Sequence, residues 1–193
     1  MNAPLVLAST SRYRAALLAR LGVAFEQVAP SVDERALEAD GLDPHRLAET
    51  LAEAKAAAVA ASRPEAIVIG SDQVCALGSE VLHKPGSEAR AREMLAKLSG
   101  RRHQLITAVA VHGPRGRERH TDVAELAMRA LEADAIARYV AADQPLDCAG
   151  SYKLEALGVA LFDAVRCEDH SAITGLPMLA TVRLLRAQGL SLP

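Results

Sequence analysis

Ala66-Ile67-Val68-Ile69-Gly70-Ser71-Asp72-Gln73-Val74 passes from an apolar run through a glycine into polar residues. A short β-branched run of this kind reads as a strand buried on both faces. Ser71, Asp72 and Gln73 then fall at its carboxyl end, the place where open α/β sheets bind ligands. Before it, PHRLAETLAEAKAAAVAAS from Pro44 to Ser62 is a strong helical pattern, with Asp43 as cap, Pro44 at its first turn and an alanine-rich body. Farther upstream, Leu5 to Ala8 reads as a buried strand. Ser9-Thr10-Ser11 forms a cap-rich turn, and a helix follows to Leu21, where Gly22 stops it. Ala24 to Ala29 reads as a second strand, and the acidic segment Ser31 to Asp43 as a loop.

Downstream, a Gly78-Ser79 turn leads to Val81-Leu82-His83-Lys84-Pro85, and Ser87 caps a helix to Leu98. Leu105 to Val111 and Thr121 to Met128 read as antiparallel strands joined by the turn Gly113-Pro114-Arg115-Gly116. A helix over Leu131 to Ala142, a strand over Val159 to Val165 and a terminal helix from Pro177 to Gln188 complete the pattern. Strands and helices interleave, but the hairpin argues against an all-parallel sheet. The expectation is one α/β domain over residues 1–193, a mixed central sheet flanked by helices, with two lobes around a cleft.

Composition narrows the function classes. The chain has 193 residues, half of them hydrophobic, enough for a sizeable core. The net charge of -2 gives no overall field for a nucleic acid polymer or an anionic membrane, so any phosphate site must be local. No stretch approaches the roughly 20 apolar residues of a membrane span, and the start MNAPLVLASTSRYR is ordered the reverse way to a secretory signal; a cytoplasmic protein is expected. Cys75, Cys148 and Cys167 are scattered and read as reduced thiols, and the dispersed histidines lack zinc spacing, so a metal here would be held by oxygen.

No stretch is a complete Walker loop or dinucleotide fingerprint, and the Gly175-Leu176-Pro177 turn lacks the lysine and the spacing. What remains is a set of ionisable residues where elements end: Arg14, Glu34, Lys55, Asp72 and Lys84. Cleavage of a phosphoanhydride needs cations and a metal to neutralise phosphate charge, and a carboxylate to orient or deprotonate water. Arg14 sits in the first turns of a helix whose start, with Ser9 and Ser11, offers amides to an anion. Taken singly, Lys55 is a solvated helix lysine and Glu34 an unremarkable loop acid. Asp72 is either a turn aspartate bonded to backbone or a carboxylate partnered by metal or lysine.

Taken together and in order, several short motifs resemble those of Maf proteins. They are Leu7-Ala8-Ser9-Thr10-Ser11-Arg12-Tyr13-Arg14, Val32-Asp33-Glu34, Glu53-Ala54-Lys55, Gly70-Ser71-Asp72-Gln73-Val74, Lys84-Pro85, Cys148-Ala149-Gly150-Ser151-Tyr152 and Thr174-Gly175-Leu176-Pro177. The resemblance spans nearly the whole chain. It implies a nucleoside triphosphate pyrophosphatase of elongated, two-lobed Maf/ITPase-like fold, often dimeric. By this resemblance Asp72 matches the proton acceptor, and Arg14, Lys55 and Lys84 match phosphate-handling cations, with Ser9 and Ser11 beside Arg14. Glu34 and Asp72 match the carboxylates associated with a divalent metal, magnesium or manganese.

The chain is similar to the branch of that family acting on 7-methyl-GTP. The branch acting on dTTP and UTP usually has Arg at Tyr13, Thr at Gln73 and Gln at Glu155. The chemistry agrees, because methylation at N7 gives guanine a positive charge that favours an aromatic face and a carboxylate. Tyr13 would stack, Glu155 would accept from the base N1–H and exocyclic amine, and Gln73 would add a hydrogen bond. Members commonly have Pro at Arg12, Trp or Arg at Tyr13, Arg at Ala15 and Gly at His83, so this chain departs at those places. The rival expectations are a dTTP/UTP or broad-specificity pyrophosphatase and a non-catalytic nucleotide-binding regulator of cell division.

Overall fold

The computed structural model describes residues 3–192. Its seven-stranded sheet is built from β1 (Leu5–Ala8), β2 (Glu26–Val28), β3 (Ile67–Leu77), β4 (Glu80–Leu82), β5 (Arg102–Gly113), β6 (Gly116–Met128) and β7 (Phe162–Arg166). The strands run in the order β2-β1-β3-β5-β6-β7, with β4 beside β3. The β1 strand is parallel to both β2 and β3, and every other pairing is antiparallel. The helices are α1 (Arg12–Ala19), α2 (Glu34–Ala39), α3 (Pro44–Ala60), α4 (Glu88–Leu98), α5 (Ala133–Asp143), α6 (His170–Ile173) and α7 (Met178–Ala187). The mixed sheet flanked by helices is therefore observed. Among the described residues, no helix is long and apolar enough to cross a membrane.

Two elements differ from expectation. The acidic segment is not wholly a loop, because Asp33 accepts from the Ala36 amide and starts α2 at Glu34. More consequentially, β3 does not stop at its polar residues. It continues to Leu77, since β5 pairs with it from Val68 to Ala76 and satisfies the backbone through Ser71, Asp72 and Gln73.

The opposite edge of β3 is interrupted. It pairs with β1 up to Gly70 and with β4 from Cys75, so Ser71 to Val74 have no strand partner on that side. Side chains alternate across a strand. Ile67, Ile69, Cys75 and Leu77 face the clusters under α1 and α7 and under α4 and α5, whereas Val74 and Ala76 pack beneath α3. At the interruption, residues from both faces of one strand reach the same opening.

The alanine-rich helix explains how close α3 comes. Leu47, Ala48, Leu51, Ala52 and Ala56 face the sheet. A Cβ on Gly70 would lie 2.3 Å from the Ala52 carbonyl oxygen and 2.5 Å from the Ala56 nitrogen, so only glycine admits the helix at this distance. That contact brings Lys55, on the same turn, down onto β3.

Candidate active site

A cleft of about 830 Å³ opens at the break in the β3 edge. Ser9, Ser11, Tyr13, Arg14, Glu34, Lys55, Asp72, Gln73, Lys84 and Glu155, the residues selected from sequence, all line it. They arrive from separate elements: the β1–α1 turn, α1, α2, α3, β3, the segment after β4 and the loop before β7.

The charged half lies on the α3 side of β3. Lys55 is 5% exposed, and its Nζ lies 2.5 Å from Asp72 Oδ1 and 2.9 Å from Glu34 Oε1. An ammonium this far from water requires such partners. Asp72 is itself 8% exposed. Among the described residues its Oδ2 has no hydrogen-bond partner, and it is not sealed from solvent, so it opens on the cleft. Lys84 forms no ion pair among the described residues. Beside it, His83 Nδ1 approaches Glu38 Oε1 of α2 at 3.6 Å, linking the segment after β4 to the helix that carries Glu34.

Around the start of α1, Ser9 Oγ accepts from the Ser11 amide at 3.1 Å, and Ser11 Oγ caps the helix by accepting from the Arg14 amide at 3.4 Å. The amides of Arg12 and Tyr13 have no partner among the described residues and remain donors. Arg14 donates from Nε to the Gly175 carbonyl at 2.9 Å and from Nη1 to Ser9 Oγ at 3.4 Å. Desolvation lowers the Arg14 pKa below its ordinary value, against the opposing pull of Asp72 and Glu34.

Composition alone did not single out the frame behind these groups. Ser71, fully buried, donates to the same Gly175 carbonyl at 3.0 Å. Gly175 has φ +112, a conformation that disfavours any side chain, so the Thr174-Gly175-Leu176-Pro177 turn fixes Arg14 through a backbone oxygen. Thr107 on β5 and the α6 carbonyls hold Gln73 from the other face. Backbone acceptors carry no residue-type signal; the glycine was the only trace of them in the sequence.

At the far end, Arg12 and Tyr13 are tied together. The Arg12 guanidinium lies over the Tyr13 ring, 4.8 Å from its centroid, and donates to the Tyr13 hydroxyl at 2.8 Å. Both reach Asp147 at 3.4 Å. Arg12 thus already covers one face of the ring expected to stack. Glu155 is exposed and has no ion pair among the described residues. Tyr152, which also lines the cleft, hydrogen-bonds His103 at 2.8 Å and packs edge-on to Phe162. All three cysteines are free thiols, and burial pushes Cys75 and Cys148 up to about 12.

A divalent ion can be tested against this donor set. Among the described residues no cluster of three His, Cys, Asp or Glu side chains forms a metal cage. Glu34 and Asp72 nevertheless converge on one small cation, the Lys55 ammonium, beside an open cleft. One or two carboxylates completed by substrate phosphates is the arrangement magnesium takes, so these residues fit it.

Comparison with known proteins agrees with this geometry. The chain matches the family described as Maf-like protein over residues 4–188. It is 50% identical over 189 residues to the 7-methyl-GTP pyrophosphatase of Xanthomonas axonopodis pv. citri, covering 98% of each chain. It is 47% identical to the protein of that name from Alkalilimnicola ehrlichii, covering 96% of this chain and 94% of the other. The Pseudomonas putida protein of that name is 42% identical, with 98% and 99% covered. Ordered motifs, a cleft that gathers them and a match across nearly the full length place this chain in the Maf family.

Proposed function

We propose that the chain is a cytoplasmic nucleoside triphosphate pyrophosphatase that hydrolyses 7-methyl-GTP to 7-methyl-GMP and pyrophosphate, removing a modified nucleotide from the pool. The observation that carries this is the meeting of Glu34, Lys55 and Asp72 at the free edge of β3, with Gln73 on the opposite face of the same strand. One strand thereby divides the cleft into a polyphosphate half and a base half. The shared name of relatives at up to 50% identity supports the choice of base.

In this mechanism, Asp72 Oδ2 takes the proton of a water whose oxygen attacks the α-phosphorus. The bond from that phosphorus to the α,β-bridging oxygen breaks, and pyrophosphate leaves in line. Lys55 holds Asp72 by its other oxygen, leaving Oδ2 turned to the water. Arg14, Lys84, the free α1 amides and the hydroxyls of Ser9 and Ser11 bind and orient the phosphate chain. Magnesium or manganese, held by Glu34 and Asp72 together with the phosphates, would supply neutralisation of the charge that builds on the leaving group. Tyr13 and Glu155 would hold the cationic base.

The decisive assay is pyrophosphate release from 7-methyl-GTP, GTP, UTP and dTTP, with magnesium, manganese or chelator. The reading expects highest kcat/KM for 7-methyl-GTP, dependence on the metal, and near-complete loss of turnover in Asp72→Asn with nucleotide binding retained. An Asp72→Asn variant with most of its activity would remove the base from the mechanism. Preference for UTP or dTTP would move the chain to the pyrimidine branch, and absence of release from every triphosphate would leave a binding protein.

A further inference from the structure

Gln73 has an amide whose two ends are chemically opposite, and the fold decides which end meets the cleft. Its Nε2 lies 2.8 Å from the Ala172 carbonyl oxygen, 3.0 Å from that of Ile173 and 3.0 Å from Thr107 Oγ1. Thr107 is fully buried and donates its own hydrogen to the Ala172 carbonyl at 2.9 Å, so toward Gln73 it presents a lone pair. Three acceptors therefore surround one nitrogen with two hydrogens. Turning the amide over would set its oxygen against two carbonyls and a hydroxyl lone pair, at the cost of both donors and with like dipoles opposed. The orientation is fixed. Among the described residues Oε1 has no partner, it is not sealed from solvent, and Gln73 lines the cleft.

We propose that Gln73 reads the base as a hydrogen-bond acceptor only, and that the donor it selects is the exocyclic 2-amino group of a guanine-type ring. This rests on the purine reading of the cleft given above. The 2-amino group carries two hydrogens, so it can be shared between Gln73 Oε1 and the Glu155 carboxylate, which also lines the cleft and can only accept. Methylation at N7 places positive charge on the ring and polarises these N–H bonds, so two converging acceptors favour the methylated base. A pyrimidine of the uracil type turns carbonyl oxygens toward its neighbours on either side of its single N–H, and against an acceptor-only wall these repel. Ala172 and Ile173 take part only through backbone oxygens of α6; they are positioning groups for Gln73.

The test compares three triphosphates in wild type and Gln73→Met, which has nearly the same shape and no hydrogen bond. GTP carries the 2-amino group, ITP lacks it, and 6-thio-GTP keeps it but weakens the acceptor at position 6. The wild type is expected to prefer GTP to ITP in kcat/KM, and Gln73→Met to lose about tenfold of that preference, the worth of roughly one hydrogen bond. The GTP to 6-thio-GTP ratio should be the same in both proteins. A GTP to ITP ratio untouched by the substitution, with the 6-thio-GTP ratio altered instead, would mean that Gln73 donates to the base and would overturn the proposal. A wild type indifferent to the 2-amino group overturns it without any variant. Purine triphosphates left intact while UTP is cleaved would instead bring down the purine reading itself, and the proposal with it.

Discussion

Lys55 holds two carboxylates from inside the protein, and that makes it both a structural and a chemical residue. Removing only the cation leaves Asp72 charged, enclosed and unpaired, which costs about 3–5 kcal/mol in comparable sites. Lys55→Met should therefore be strongly destabilised in urea, and the double variant Lys55→Met/Asp72→Asn should regain most of the loss. Equal stability of the two variants would show that the pair is not coupled. His103 supplies a second test, away from the cleft. It is 3% exposed, and desolvation lowers its pKa from the ordinary 6.5 to about 4. The unfolded chain takes up this proton first, so the stability that a neutral His103 contributes is complete above pH 6.5 and is lost as pH drops toward 4, by roughly 3 kcal/mol. The stability difference between wild type and His103→Phe should shift against the wild type by that amount across this window. A constant difference would locate the acid sensitivity elsewhere. Lys55 also shows what a sequence hides: in an alanine-rich helix it looks solvated, and only the closeness of α3 to β3 reveals that it is not. Asp72 was easier, because a carboxylate in so apolar a strand demands a partner.

The close approach of α3 to β3 is itself testable, since it depends on Gly70. A methyl group there meets backbone of α3, which cannot rotate aside as a side chain can. Gly70→Ala should push the helix outward, cost about 1–3 kcal/mol of stability and displace Lys55 from Asp72. Misplacement by about 1 Å can cost on the order of a hundredfold in rate, so activity per folded molecule should fall far more than the folded fraction. Activity that merely followed the folded fraction, measured by urea titration alongside kcat/KM, would show that this contact does not place Lys55. α3 was legible because Asp43 caps it, accepting from the His45 and Arg46 amides, and because its apolar face is periodic. α2 was not: six residues with no buried position give no amphipathic signal, and the Asp33 cap alone was too slight. The polar middle of β3 read as its end because the pairing that sustains it comes from β5, distant in sequence.

Across the molecule, the strand order turns scattered motifs into one site. Only where β1 has ended and β4 has not begun is β3 open along an edge, and there its two faces bring Asp72 and Gln73 to one cleft, which is the basis for the proposed division of a nucleotide between them. The ordered motifs identified which residues assemble, but not that the dividing wall would be a single strand, since that depends on the register of three pairings. The division predicts separable footprints in amide hydrogen exchange. Pyrophosphate with magnesium should slow exchange in α2 and at the start of α1, where the Arg12 and Tyr13 amides have no partner among the described residues, and leave α6 unchanged. The nucleoside 7-methylguanosine should protect α6 and the segment around Glu155 and leave α2 unchanged, the two ligands sharing only the start of α1, where Tyr13 sits. A triphosphate bound to Asp72→Asn should protect both together, and a ligand at about a hundred times its Kd should stabilise the fold by ~2.7 kcal/mol. If pyrophosphate and nucleoside protected the same segments, the cleft would be one undivided pocket, and the assignment of each face of β3 to one end of the substrate would fail.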